Sequence, residues 1–149
     1  MYHEYYDYDK ERLLANPKIP MEVMADKPTV FQAIAREMAD EIKARNAAGK
    51  TTVFICPVGP IGQYPYFVQL VNQERISLKN CWFINMDEYL GDDMQWIPME
   101  HPLSFRGFME RTVYSQIDEE LNVPEDHRVF PDPNNLEYIP NLIDTLGGV

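Results

Sequence analysis

Phe83-Ile84-Asn85-Met86-Asp87-Glu88-Tyr89-Leu90-Gly91 decides how this chain is read. An apolar run that starts at Cys81 ends in two adjacent carboxylates, an aromatic residue and a glycine that can reverse the backbone. A short, continuously apolar run bounded in this way is the pattern of a strand buried on both faces of a parallel sheet. Its carboxyl end would set Asp87 at the rim of the sheet. There a carboxylate is partly desolvated yet within reach of a small ligand, the setting a general base needs. The alternative for any Asp-Glu pair is the first residues of a solvated turn.

The same pattern occurs upstream. Thr51-Thr52-Val53-Phe54-Ile55-Cys56 is β-branched and apolar, and predicts a second strand buried on both faces. Between the two, residues 57–63 read as a loop and residues 64–71 as a helix with Pro65 near its start. Strand, loop, helix and strand in this order imply a parallel βαβ unit. Ahead of it, Asp26 offers an N-cap and Pro28 a first-turn residue. Phe31, Ile34, Ala35, Met38 and Ile42 follow at helical spacing, and Gly49 stops the helix. Residues 21–24 suit a short edge strand. Downstream, Ser104 caps a helix to about Gln116, with Phe105, Phe108, Met109 and Val113 as its apolar stripe. Arg128-Val129-Phe130 reads as a short strand, and residues 136–146 as a helix despite Pro140. The expected fold class is α/β, a Rossmann-like open parallel sheet with helices on both faces in three layers. In such sheets ligands sit outside the carboxyl ends of the strands. The 57–63 loop and the Asp87 loop would therefore face one crevice.

Composition excludes several classes. The chain has 149 residues, 45% of them hydrophobic and 25% charged, which suits one soluble globular domain. Residues 1–20, with Tyr2, Tyr5, Tyr6 and Tyr8 among acids, form an N-terminal extension, and residues 21–149 the α/β domain. No apolar run reaches the roughly 18–20 residues that span a bilayer. The acidic, aromatic N-terminus is unlike a targeting peptide, so a cytoplasmic location and no membrane partner are expected. With 24 acids against 13 bases the net charge is −11, which repels nucleic acid. Cys56 and Cys81 lie in apolar stretches and read as buried, reduced thiols. His3, His101 and His127 are scattered, so neither a metal site nor a cofactor is expected.

Asn85-Met86-Asp87-Glu88-Tyr89-Leu90-Gly91, then His101-Pro102-Leu103-Ser104-Phe105, then Phe108-Met109, resembles the glucosamine-6-phosphate deaminase (isomerase) family. The resemblance covers roughly residues 21–149 and is strongest from 81 to 109. It implies aldose–ketose isomerisation with deamination of an amino sugar phosphate, with Asp87 as the proton-abstracting base. It places Val58, Gly59, Pro60, Ile61 and Gly62 where the family has its phosphate loop, and His101 on the pocket wall. Such a loop works through converging backbone N–H groups and hydroxyl donors. Here Val58 and Ile61 stand for threonines and Pro60 for a glycine. Each lost hydrogen bond to a charged oxygen costs about 1.5–3 kcal/mol, so the loop is degenerate for phosphate. Glu88 and Tyr89 are expected to position and pack rather than to react. The connection between Gly91 and His101, with Asp92, Asp93, Trp96 and Met99, is longer than the family's usual one and suits a solvated loop, with a lid or an interface as the functional alternative.

The family continues past a Gly-Gly-Val-like position to residues for ring opening and phosphate neutralisation, so the resemblance implies the N-terminal portion of a larger fold. A half-sheet of this kind exposes an edge strand and apolar faces, favouring a homo-oligomer. The partner expected is a small sugar or sugar phosphate. The alternative function is a non-catalytic sugar-binding or regulatory module of the same fold. A lactonase-like hydrolase is the weaker match, since those tend to carry Arg where Tyr89 stands.

Overall fold

The computed structural model describes residues 3–15 and 17–149. A 3-10 turn at Glu4–Asp7 and helix α1 (Lys10–Ala15) come first. Residues 21–24, expected as an edge strand, are irregular. Met21 and Val23 are exposed and no described strand pairs with them, so β propensity finds no ladder to join.

Helix α2 (Lys27–Ala47) begins where the cap predicts. Asp26 is extended and accepts hydrogen bonds from the Thr29 backbone N–H at 2.8 Å and its hydroxyl at 2.6 Å. Pro28 occupies the first turn, where its missing N–H costs nothing. Gly49, at φ +65°, takes the left-handed backbone that follows the helix end.

Strand β1 (Thr52–Cys56), helix α3 (Gln63–Glu74) and strand β2 (Cys81–Asn85) form the expected parallel unit, with Thr52 opposite Cys81 and Cys56 opposite Asn85. Strand β3 (Arg128–Val129) adds parallel to β2, giving the order β1-β2-β3. Helix α4 (Phe105–Thr112) is shorter than expected, and a 3-10 turn at Tyr114–Gln116 takes up the remainder. Helix α5 (Tyr138–Leu146) accommodates Pro140 in its first turn.

The two faces of the sheet follow from strand alternation. Cys56, Cys81 and Phe83 pack with Ala35, Ala39 and Ile42 of α2, Phe67 and Val71 of α3 and Met109 of α4. Val53, Ile84 and Val129 face the other way, against Ile139, Leu142, Ile143 and Leu146 of α5. The result is an open parallel sheet with helices on both faces. One part of the expectation fails: Ile55 is 44% exposed, so β1 is not buried on both faces throughout. Ile55 shares the α5 face with Val53, but α5 packs over Val53, Ile84 and Val129 and not over Ile55.

Both thiols are free and buried. Burial pushes Cys56 and Cys81 each up to about 12, and burial also raises the Tyr64 and Tyr114 hydroxyls. A thiol raised in the folded state favours folding fully while both states stay protonated. Above the ordinary value of 9.0 only the unfolded chain ionises, so that contribution falls until the folded thiol ionises too, at about 12. Stability from urea unfolding is therefore expected to decline between about pH 9 and 12. Thiol alkylation at neutral pH should require unfolding.

Candidate functional site

The two loops that sequence places at one edge share a root. The Met86 N–H donates to the Cys56 carbonyl at 3.0 Å, one step beyond the ladder. The chain leaves β1 and β2 in the same direction on adjacent strands. Beyond Cys56, Val58 packs on the core while Gly59, Pro60 and Ile61 are exposed. The Tyr64 hydroxyl donates to the Pro57 carbonyl at 2.7 Å and fixes the base of the loop. Gly62 has an ordinary φ of −68°, so its role is not conformational freedom. A Cβ there would lie 2.1 Å from the Phe31 ring, and glycine lets the loop close onto α2. On that side the Lys27 ammonium stands 5.5 Å from the centre of the Phe31 ring. This cation beside the loop escaped the sequence reading, since only the fold brings α2 to residue 62.

The adjacent carboxylates have opposite fates. Asp87 is exposed rather than partly desolvated as expected, because no described element packs over Met86 and Asp87 after β2, and among the described residues its carboxylate has no hydrogen-bond or ion-pair partner. The Glu88 side chain is 1% exposed. It accepts the Phe105 N–H at 2.9 Å, the Arg106 N–H at 2.7 Å, the Ser104 hydroxyl at 3.3 Å and the Tyr89 N–H at 2.8 Å. The Arg106 guanidinium lies 3.3 Å away. Ser104 accepts from the Gly107 N–H at 3.1 Å, the cap expected from sequence. Glu88 thus seats the N-terminus of α4, whose free N–H groups and positive dipole end suit a carboxylate. Tyr89 packs edge-on against Phe105 with ring centres 5.1 Å apart.

The connection after Gly91 is solvated over residues 92–95 and 98–100, as a loop would be, but its base is ordered. Leu90 and Trp96 form an antiparallel bridge, the Gly91 N–H donates to Gln95 O at 2.8 Å, and the Ile97 N–H to Tyr89 O at 3.3 Å. Met94 takes the turn at φ +59°. The Trp96 indole donates to Pro131 O at 2.7 Å, and the Arg106 guanidinium stacks 4.3 Å from the Trp96 ring centre. His101 is exposed, and its Nδ1 accepts from the Leu103 N–H at 3.2 Å within its own turn. A Cβ at Gly107 would lie 1.9 Å from the Met99 carbonyl, so α4 abuts this segment through a glycine.

An apolar cleft of about 250 Å³ lies beside the loop, walled by Met38, Phe54, Pro57, Pro60, Gln63 and Tyr64 among others; Asp87 is not one of its walls. Among the described residues no group of histidine, cysteine or carboxylate side chains stands ready to hold a metal ion. No described helix is long and apolar enough to cross a membrane.

No protein-family model matches the sequence. Individual relatives do. The glucosamine-6-phosphate deaminase of Bacteroides fragilis is 36% identical over 133 residues, 85% of this chain and 47% of the relative. By sequence and fold, the chain belongs to the glucosamine-6-phosphate deaminase family. The deaminase of Borrelia garinii subsp. bavariensis is 35% identical over 121 residues, covering 77% of this chain and 43% of that protein. A solved structure of a monomeric glucosamine-6-phosphate deaminase of the NagB superfamily superposes with a TM-score of 0.68 at 27% identity. That match covers 87% of this chain and 52% of the solved one. The chain spans about half the length of the curated relatives it matches.

Proposed function

We propose that this chain carries the proton-transfer half of an amino-sugar-phosphate isomerase and deaminase, with Asp87 as the enolisation base. The observation that supports it is the division of labour between the two carboxylates. Glu88 is consumed by the α4 N-terminus and Arg106, whereas Asp87 stands exposed and unpaired at the carboxyl end of β2. Ligands of open parallel sheets bind at that edge. In the reaction Asp87 takes the C2 proton of the open-chain aldose, and the electron pair forms an enolamine with the C1 oxygen. Protonation at C1 gives a C2 imine, and one water replaces nitrogen there, so a ketose phosphate and ammonia leave. No electrons are exchanged, and no redox cofactor is called for.

In this reading the 58–62 loop and His101 contact the small-molecule ligand. The loop has few donors for a phosphate, since Val58, Pro60 and Ile61 offer no hydroxyl and Pro60 no N–H. Its exposed backbone and the neighbouring Lys27 are the groups left for that task. The same poverty favours the second reading, a non-catalytic module that binds an unphosphorylated sugar.

Ammonia release from glucosamine 6-phosphate by the intact gene product separates the two. Turnover is the expected result. Absence of turnover, together with tight binding of glucosamine itself, would replace the enzyme with the module.

A further inference from the structure

Asn85 is, among the described residues, the one side chain with two buried polar atoms that lack a partner. It is 1% exposed, and neither Oδ1 nor Nδ2 has a hydrogen-bond partner. The other orphans are single atoms: Thr52 Oγ1, Gln63 Oε1, the Tyr114 hydroxyl, and the Arg106 Nε, which at least faces Glu88 in an ion pair. An unpaired buried amide disfavours folding, and an apolar residue of similar shape would remove that cost. Core packing therefore gives no reason for asparagine here.

Position gives one. Asn85 is the last residue of β2 and lies opposite Cys56, the last of β1. The next residues on each strand, Met86 and Pro57, begin the two loops, and Met86 is tied to Cys56. By strand alternation Asn85 shares a face with Cys56 and Phe83, beneath the loop base that Tyr64 pins to Pro57. Asn85 is thus rooted at the carboxyl end of β2, next to the bases of both the Asp87 turn and the 57–62 loop. Groups held at an energetic cost in the free protein cluster where a ligand later satisfies them.

The geometry points to Asn85 as a positioning residue of this site, kept polar by ligand binding rather than by folding. When a hydroxyl-bearing ligand seats between the two loops, the carboxamide gains its donor and acceptor bonds to the loop backbone or to water carried in with the ligand. It thereby holds Asp87 in register with the ligand. The inference rests on the location of the site given under the proposed function, but not on the reaction.

Two variants of the intact gene product test it, Asn85→Leu and Asn85→Ser, each followed by thermal unfolding and by ammonia release from glucosamine 6-phosphate. Asn85→Leu is expected to unfold at the same or a higher temperature than the parent. Its KM should rise about 10-fold, the loss of one hydrogen bond to a bound group, with the pH profile of turnover unmoved because Asp87 is untouched. Asn85→Ser, which keeps a donor and an acceptor, should fall between. An unchanged KM in Asn85→Leu overturns the inference, and should that variant fail to fold, an unchanged KM in Asn85→Ser does so. If the parent shows no turnover, the deaminase reading fails on its own. Calorimetric binding of glucosamine 6-phosphate then decides for Asn85: weaker binding by the variants supports it, while equal binding, or no binding by the parent, overturns it.

Discussion

Asp87→Asn is expected to lower kcat for glucosamine 6-phosphate by about 10²–10⁴-fold, the usual contribution of a positioned general base. KM and stability should barely move. The replacement amide has the same shape as the carboxylate, and Asp87 is exposed with no partner among the described residues, so folding has nothing to lose there. Surface substitutions of this kind usually stay within about 0.5 kcal/mol. The split between kcat and KM is what makes the experiment informative. A carboxylate that only anchored a ligand hydroxyl would raise KM and leave kcat largely intact. Single-turnover measurement of ammonia release, beside urea unfolding of the same variant, reads both quantities. A kcat within threefold of the parent would remove Asp87 from the chemistry.

How much of this was legible in the residues depends on how far each residue's environment lies along the chain. The strands at 52–56 and 81–85 were readable because a buried parallel strand needs a continuous apolar run, which is a local property. The caps at Asp26 and Ser104 were readable for the same reason, since each bonds an N–H three residues on. Ile55 looks identical to Val53 in sequence, and its exposure depends on where α5, some eighty residues later, comes to rest. The irregular 21–24 segment has strand-like residues but no partner strand, a fact of topology. The bridge between Leu90 and Trp96 had no turn signal of the Asn-Gly kind; its turn falls on Met94, held by Trp96 and Arg106 from outside the hairpin's own tip. The candidate site divides in the same way. Asp87 stood out through the motif around it, whereas Lys27, Gly62 against Phe31, and the orphaned Asn85 amide become visible only when elements distant in sequence are packed.

Glu88→Ala is expected to cost about 3–5 kcal/mol of stability, the usual penalty for removing one partner of a buried ion pair. The Glu88 side chain is 1% and that of Arg106 17% exposed, so solvent screens neither strongly. Truncation leaves the Arg106 guanidinium held between Trp96 and the Ile97 carbonyl without its counter-charge. It also strands the Phe105 and Arg106 backbone N–H groups and the Ser104 hydroxyl at the start of α4. Against a typical domain stability of about 5–15 kcal/mol this is a large fraction. Glu88→Gln is the sharper test. It keeps an acceptor for one or two of the N–H groups but removes the charge, so the electrostatic share appears by difference, at about 1.5–3 kcal/mol for a charge-assisted bond. Arg106→Met should recover part of the loss in the Glu88→Gln background, because the uncompensated guanidinium goes with it, while the stranded amides of α4 keep the rescue incomplete. Urea unfolding of the four proteins closes the cycle. Purely additive losses would mean that Glu88 acts only as a helix cap and that its pairing with Arg106 contributes nothing to holding α4 against the 89–97 hairpin.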